Sequence, residues 1–216
     1  MKMIGKAIAL LASLALVAPS SASAQMPPAN TGAASNVNAL FQDALWEVST
    51  NGGLSWIQAY QVQNKPGVWQ ANTSTYSWIS SSSSGSGGSG NYYFRTAFDL
   101  TGYNPSTAAM TFQCAVDNYP SLTSYYSLNG GAYGGSCGST NNGYQFAGVQ
   151  TVNSGFVSGT NSLTFHFTGD GITDGLVVGD MTLSASVVTA TPEPASLALL
   201  ATGLVGIVGA VRRRRA

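Results

Sequence analysis

The chain of 216 residues carries 8 Lys and Arg and 8 Asp and Glu, so only 7% of it is charged, where about a quarter is usual in soluble proteins. Its 26 glycines and its aromatic residues (4 Trp, 10 Tyr and 8 Phe) are typical of short strands joined by turns. Most cations lie at the two ends, and residues 25–191 hold Lys65 and Arg95 against seven carboxylates, a net charge of −5. This charge excludes nucleic acid as a partner, because phosphates would be repelled.

The first 24 residues have the pattern of a secretory signal peptide. Lys2 and Lys6 precede an apolar run over residues 7–18, and the small residues Ala22 and Ala24 mark an Ala-x-Ala cleavage site. The run is too short to cross a bilayer, which needs about 20 apolar residues. We therefore predict a signal helix, export through the Sec translocon, and cleavage by signal peptidase after Ala24.

Residues 25–42 are small and polar and predict a flexible arm. The body, residues 43–188, predicts strands, because apolar residues alternate with polar ones at a period of two. The predicted buried faces are Tyr92, Phe94, Phe98 and Leu100; Met110, Phe112, Cys114 and Val116; and Leu163, Phe165 and Phe167. A last predicted strand runs through Met181, Leu183, Ala185 and Val187. Turns rich in glycine or asparagine separate these strands. The sequence thus predicts an all-β fold, an antiparallel β-sandwich of the jelly-roll type.

The body is also similar to galactose-binding-domain-like jelly-roll modules over about residues 43–187. The similarity lies in the order of short motifs: Asp43 and Trp46; Trp69, Asn72, Ser74 and Trp78-Ile79; Tyr93-Phe94-Arg95-Thr96 with Phe98-Asp99-Leu100; Asp117-Asn118; Leu128-Asn129-Gly130; and Gly159, Asn161, Leu163 and Phe165. The resemblance implies a carbohydrate ligand and places Trp46 and Trp78 in the core. Residues 169–175 depart from the family pattern, so the resemblance assigns no ligand or ion there.

Cys114 and Cys137 are the only two cysteines of this exported chain. An intramolecular disulfide is therefore expected, and a loop of this length would stabilise the fold by about 3 kcal/mol. Two unpaired thiols remain the alternative. A zinc site is disfavoured, because His166 is the single histidine and such sites need more ligands than it provides.

Asp170 and Asp174 lie four residues apart around a glycine, as in half of a calcium-binding loop. Met181 stands where an EF-hand would place its bidentate acid, so that motif fails. A looser calcium site could use backbone carbonyls together with Asp170, Asp174 and Asp180. A plain acidic turn is the alternative interpretation.

Trp56 and Trp69 both follow turn residues, and they are the predicted candidates for an exposed platform on which a sugar ring could stack. Catalysis is not expected. A glycan hydrolase would need two carboxylates about 5–9 Å apart. The available pair, Asp99 and Asp117, is better explained by pairing with Arg95 and by turn capping.

The C-terminal residues 189–216 combine three features. Pro192-Glu193-Pro194 is followed by an uncharged apolar run over residues 195–211 and then by Arg212, Arg213, Arg214 and Arg215. The run predicts a transmembrane helix of about 25 Å, and the positive-inside rule would keep the arginines in the cytoplasm. The two prolines would hold the chain extended beside the membrane.

Together these features resemble the PEP-CTERM sorting signal of Gram-negative bacteria. The resemblance implies that exosortase, an integral-membrane cysteine protease or transpeptidase, recognises Glu193 and cuts near the two prolines. The body would by then have crossed the inner membrane, which the chain occupies only transiently. A permanent one-helix anchor is the alternative.

The sequence therefore predicts an exported protein, at the cell surface or released from it, whose body binds carbohydrate such as matrix exopolysaccharide. One alternative is a structural matrix or adhesion protein without a discrete ligand site. A glycan hydrolase is the less favoured alternative. No cofactor is expected apart from a structural Ca²⁺ ion.

Overall fold

The computed structural model describes residues 28–117, 125–135, 137–138, 144–146, 148–188 and 194–214. The chain divides into two units, of which the body spans Ala24–Val188 and the other contains both chain ends. Several predicted sorting and cleavage residues lie outside the described residues: Ala22, Ala24, Pro192, Glu193 and Arg215. Their roles stay predictions.

The described residues of the body form nine antiparallel strands. They are β1 (Gln42–Ser49), β2 (Ile57–Gln61), β3 (Ile79–Ser80), β4 (Ser89–Asp99), β5 (Ala109–Asp117), β6 (Tyr125–Leu128), β7 (Gln150–Val152), β8 (Thr160–Asp170) and β9 (Gly175–Ser184). Their order across the sheet is β6-β8-β4-β1-β2-β3-β9-β5-β7. A short 3₁₀ helix, Pro105–Thr107, precedes β5.

The strands belong to one continuous, curled sheet. The all-β, antiparallel character is confirmed, but the expected sandwich of two packed sheets is not established. Two irregularities let one sheet bend: the pairing of β1 with β2 shifts register between Gln42 and Glu47, and that of β5 with β9 shifts between Thr111 and Gln113. The short strand β3 then joins the two halves, because it pairs with both β2 and β9.

The inner face of the sheet packs the main core. Its buried members include Trp46, Val48, Ile79, Phe94, Phe98, Phe112, Cys114, Phe165, Leu176 and Val178. The alternation predicted for β4, β5 and β8 is confirmed, since every predicted apolar residue of these strands is buried. Residues 114–117 of β5 and 175–178 of β9, which pair with each other, are buried on both faces, because Ala115 and Val177 belong to a second cluster with Val62, Trp69 and Trp78.

Residues 28–41 attach to the body, which corrects the expected flexible arm. Strand β3 has only two residues and pairs with β9 only at Leu176, so the edge of β9 beyond that point is open. Thr31 fills it: its backbone N–H donates to the Val178 carbonyl over 3.1 Å, and its hydroxyl accepts from the Val178 N–H over 2.9 Å. The same hydroxyl donates to the Ser77 carbonyl over 2.8 Å.

The C-terminal unit contains one described helix, α1 (Pro194–Arg213), with Arg212 and Arg213 in its last turn. Proline suits the first position of a helix, where its missing N–H is not needed. Within the described part of the chain, no helix combines the length and the apolar character that crossing a membrane requires. The transmembrane helix predicted over residues 195–211 is therefore not confirmed.

Candidate functional site

The outer face of the sheet, opposite the main core, has two regions that differ in what lies on them. In the covered region, on β3, β9 and β5, aromatic rings from residues 69–78 and 144–146 pack over the strands. In the open region, on β2, β1, β4 and β8, charged, polar and aromatic side chains face solvent. The two predicted tryptophans separate between these regions.

Trp69 lies in the covered region and is only 2% exposed. Its ring stacks on Trp78 with a centroid distance of 4.0 Å, and its Nε1–H donates to Asp117 Oδ2 over 2.8 Å. The expectation that Trp69 is an exposed platform is therefore wrong. Gly175 on β9 helps to make room for the indole, because a Cβ there would stand only 3.0 Å from the Trp69 ring.

Asp117 shares this region with the predicted calcium loop. Burial raises the pKa of Asp117 to about 6, against the effect of its hydrogen bond from Trp69, and the charges of Asp174 and Asp170 raise it further. Asp117 and Asp170, together with Trp69, Tyr144 and Ile172, line a shallow cleft of about 230 Å³.

The structure places two of the three aspartates predicted to bind calcium, Asp170 and Asp174, in hydrogen bonds of their own turn. The Asp174 carboxylate accepts hydrogen bonds from the backbone N–H groups of Asp170 and Gly171, and thus closes the turn itself. Asp180 is an exposed residue of β9 with a positive φ of 51°. Within the described residues, no three His, Cys, Asp or Glu side chains are grouped so that they could hold a metal ion. Calcium binding stays a prediction.

Trp56 lies in the open region, above a charged pair. The Arg95 Nε–H donates to Glu47 Oε2 over 2.6 Å, and Arg95 Cζ lies 4.0 Å from the centroid of the Trp56 ring. The indole N–H of Trp56 donates to the Gly53 carbonyl, which fixes the ring. Arg95 therefore pairs with Glu47 and not with Asp99, whose carboxylate accepts instead from Thr101.

Strand register places these residues in a row. Gln58 on β2, Glu47 on β1 and Arg95 on β4 are direct cross-strand partners, so their side chains share one face. Beside them lies a groove of about 480 Å³, which we call the polar groove. It is lined by Ala44, Leu45, Glu47, Gln58, Arg95, Thr96, Ala97, Thr160 and Ser162.

A second row in the open region is aromatic. Tyr93 on β4 and His166 on β8 are direct partners, and their rings stack at 4.3 Å with an angle of 12° between planes. Tyr133 packs against His166 with a centroid distance of 5.9 Å. Burial lowers the pKa of His166, so the ring is uncharged at neutral pH. We call Tyr93, His166 and Tyr133 the aromatic row.

The predicted disulfide joins Cys114 of β5 to Cys137. Because Cys137 follows Tyr133 by four residues, the crosslink ties the segment that carries the last member of the aromatic row to the core. A backbone hydrogen bond from Gly138 to the Cys114 carbonyl supports the same attachment. The disulfide prediction is thus confirmed.

Sequence reasoning missed most of the open region. The sequence predicts no ligand-binding role for Tyr93, and the pairing of Arg95 with Glu47 joins residues that are 48 positions apart. One signal was present: the β4 alternation puts Tyr93 and Arg95 on the face opposite the core. Trp46 and Trp78, by contrast, are fully buried, as expected.

Comparison with known proteins adds one finding at the C-terminus. The family model described as the PEP-CTERM protein-sorting motif matches residues 190–215. The chain carries a PEP-CTERM sorting motif. No curated protein and no solved structure matches the chain. The motif indicates an exported protein that exosortase processes and sorts to the cell surface or the extracellular space.

Proposed function

We propose that this PEP-CTERM protein displays or releases a non-catalytic glycan-binding body, and that the polar groove with Trp56 is the binding site. The observation that carries the proposal is that Arg95 and Glu47 line a groove of about 480 Å³ while Arg95 also contacts the ring of Trp56. Grooves of this size suit small ligands or segments of larger ones.

The chemistry of the groove suits sugar hydroxyl groups. Glu47 and Gln58 provide acceptors, Thr160 and Ser162 provide hydroxyl groups, and Gln58 and Arg95 provide donors. The indole of Trp56 offers an apolar surface on which the C–H face of a sugar ring can pack. Arg95 and Glu47 neutralise each other, so a sugar would meet fixed dipoles and not a net charge.

Export delivers this body to its ligand. In the proposed route, signal peptidase cuts after Ala24 and exosortase cuts near Pro192-Glu193-Pro194. The apolar residues 195–211 hold the chain in the inner membrane until that cut, and the arginines after them remain in the cytoplasm. The proposed ligand is then exopolysaccharide of the surrounding matrix.

The experiment is isothermal titration of the mature protein, purified from culture medium, with the exopolysaccharide of the producing cells. We expect saturable binding and a loss of at least about tenfold in affinity for Trp56→Ala, because stacking and desolvation at the groove are removed. Leu54→Ala is the matched control, since Leu54 lies in the same turn and is 87% exposed.

Two results would contradict the proposal. The first is that the wild-type protein binds no glycan of the matrix. The second is that Trp56→Ala and Leu54→Ala bind as the wild type does, which would support the structural matrix protein. Release of reducing sugar that Asp117→Asn abolishes would support the hydrolase.

A further inference from the structure

We infer that the ligand is an uncharged linear polysaccharide that runs along β4 and β8 and occupies two adjoining subsites, the polar groove and the aromatic row. This inference rests on the proposed function and names its class of ligand. Nothing in the PEP-CTERM motif specifies it, because the motif concerns sorting alone.

Strand geometry makes the two subsites neighbours. Tyr93 and Arg95 are two residues apart on β4 and point to the same face, which separates them by about 7 Å. Their partners on β8, His166 and Thr164, repeat that spacing. The polar groove and the aromatic row are therefore parallel and adjacent, so one polymer chain can contact both, whereas one sugar unit reaches only one.

The aromatic row presents ring surface to solvent. Tyr133 is 44% exposed, and Tyr93 and His166 are half-buried with their rings parallel to each other. Asn91 lies beside the rings, where its Oδ1 is 3.2 Å from His166 Nε2 and accepts from the Thr168 hydroxyl over 2.8 Å. Flat rings bordered by amide and hydroxyl groups fit a second sugar unit as Trp56 fits the first.

The net negative charge of the body disfavours an acidic polymer as the ligand. Residues 25–191 contain two cations and seven carboxylates. Lys65 donates to the carbonyls of Pro66 and Trp69, outside the open region, and Arg95 is neutralised by Glu47. A polyanion would meet a repulsive field with no cation available to oppose it.

The test compares a polymer with its own monomer. The probes are galactan and galactose, dextran and glucose, and polygalacturonate, each titrated into the mature protein at low salt. We expect a neutral polymer to bind tighter than its monomer and polygalacturonate to bind weakest. Tyr93→Ala should lower the affinity for the polymer at least about threefold and leave the affinity for the monomer unchanged. Trp56→Ala should weaken both.

Tyr144→Ala in the covered region is the matched control, and thermal unfolding of each variant verifies its fold. The inference is overturned if Tyr93→Ala binds the polymer as tightly as the wild type does while Trp56→Ala binds the polymer more weakly. In that case the proposed function stands with one subsite. Tighter binding of polygalacturonate than of galactan and dextran overturns the neutral class. If no glycan binds the wild type, the proposed function fails as well.

Discussion

The covered and open regions lie on the same face of one sheet. Each contains a tryptophan that directly follows a short turn. Trp69 is buried against Trp78, whereas Trp56 stays half-exposed above Arg95. Each follows a short segment that contains a glycine, Gly53-Leu54-Ser55 in one case and Pro66-Gly67-Val68 in the other, although only Gly53 has a positive φ. A turn before a tryptophan therefore does not by itself predict whether the ring is exposed, and the residues that the ring meets on the sheet have to be known.

Strand β9 explains why one region is covered. Its outer face carries Gly175, Val177 and Gly179, and a Cβ at Gly179 would stand 2.8 Å from Tyr76 and 2.9 Å from Phe146. These small residues let aromatic rings lie directly on the strand. Strand β4 instead presents larger side chains on this face, because Tyr93 stacks on His166 and Arg95 contacts the ring of Trp56.

The largest expected effect is on stability at Trp69. Trp69→Ala should lower the free energy of unfolding by about 3–5 kcal/mol, because it leaves a cavity on Trp78 and an unpaired Asp117. Trp56→Ala should lower it by only about 1 kcal/mol, the value of an exposed cation–π contact. Urea unfolding measures both. Equal losses for the two variants would show that the open region is also structural.

The next effect is a pH dependence to which Asp117 of the covered region contributes. Burial raises the pKa of Asp117 to about 6, while an unfolded aspartate titrates near 4. Between these values the native state binds more protons than the unfolded state, so the free energy of unfolding falls as pH rises from about 4 to above 6. Buried Asp43, whose pKa is also raised to about 6, acts in the same direction.

The free energy of unfolding of Asp117→Asn should therefore fall by about 2 kcal/mol less than that of the wild type between pH 4.5 and 7.5. Chemical denaturation at several pH values measures this difference. Asp180→Asn is the control, because Asp180 is exposed and its positive φ of 51° suits asparagine. If Asp117→Asn follows the wild-type curve, Asp117 is already charged in the native state at low pH.

The contrast between the regions also shows how far sequence reasoning reaches. Period-two alternation located β4, β5 and β8 and their buried faces, because that signal is local. The single sheet was not predicted, since it depends on the two-residue strand β3, which is too short to leave a pattern. The Arg95–Glu47 pair and the Trp69–Asp117 hydrogen bond were not predicted either, because each joins residues 48 positions apart and sequence patterns are local.

The smallest expected effects are changes in the free energy of unfolding at two buried threonines. Thr96 lies behind the open region, and Thr31 lies at the edge of β9. Among the described residues, the hydroxyl of Thr96 is buried without a hydrogen-bond partner, whereas that of Thr31 bonds both Ser77 and Val178. Thr96→Val should raise the free energy of unfolding by about 1 kcal/mol, and Thr31→Val should lower it by about 2 kcal/mol. Thermal and urea unfolding measure both signs. Destabilisation by Thr96→Val would mean that its hydroxyl is satisfied in solution, and the polar groove would then extend deeper into the sheet than the side chains on its surface.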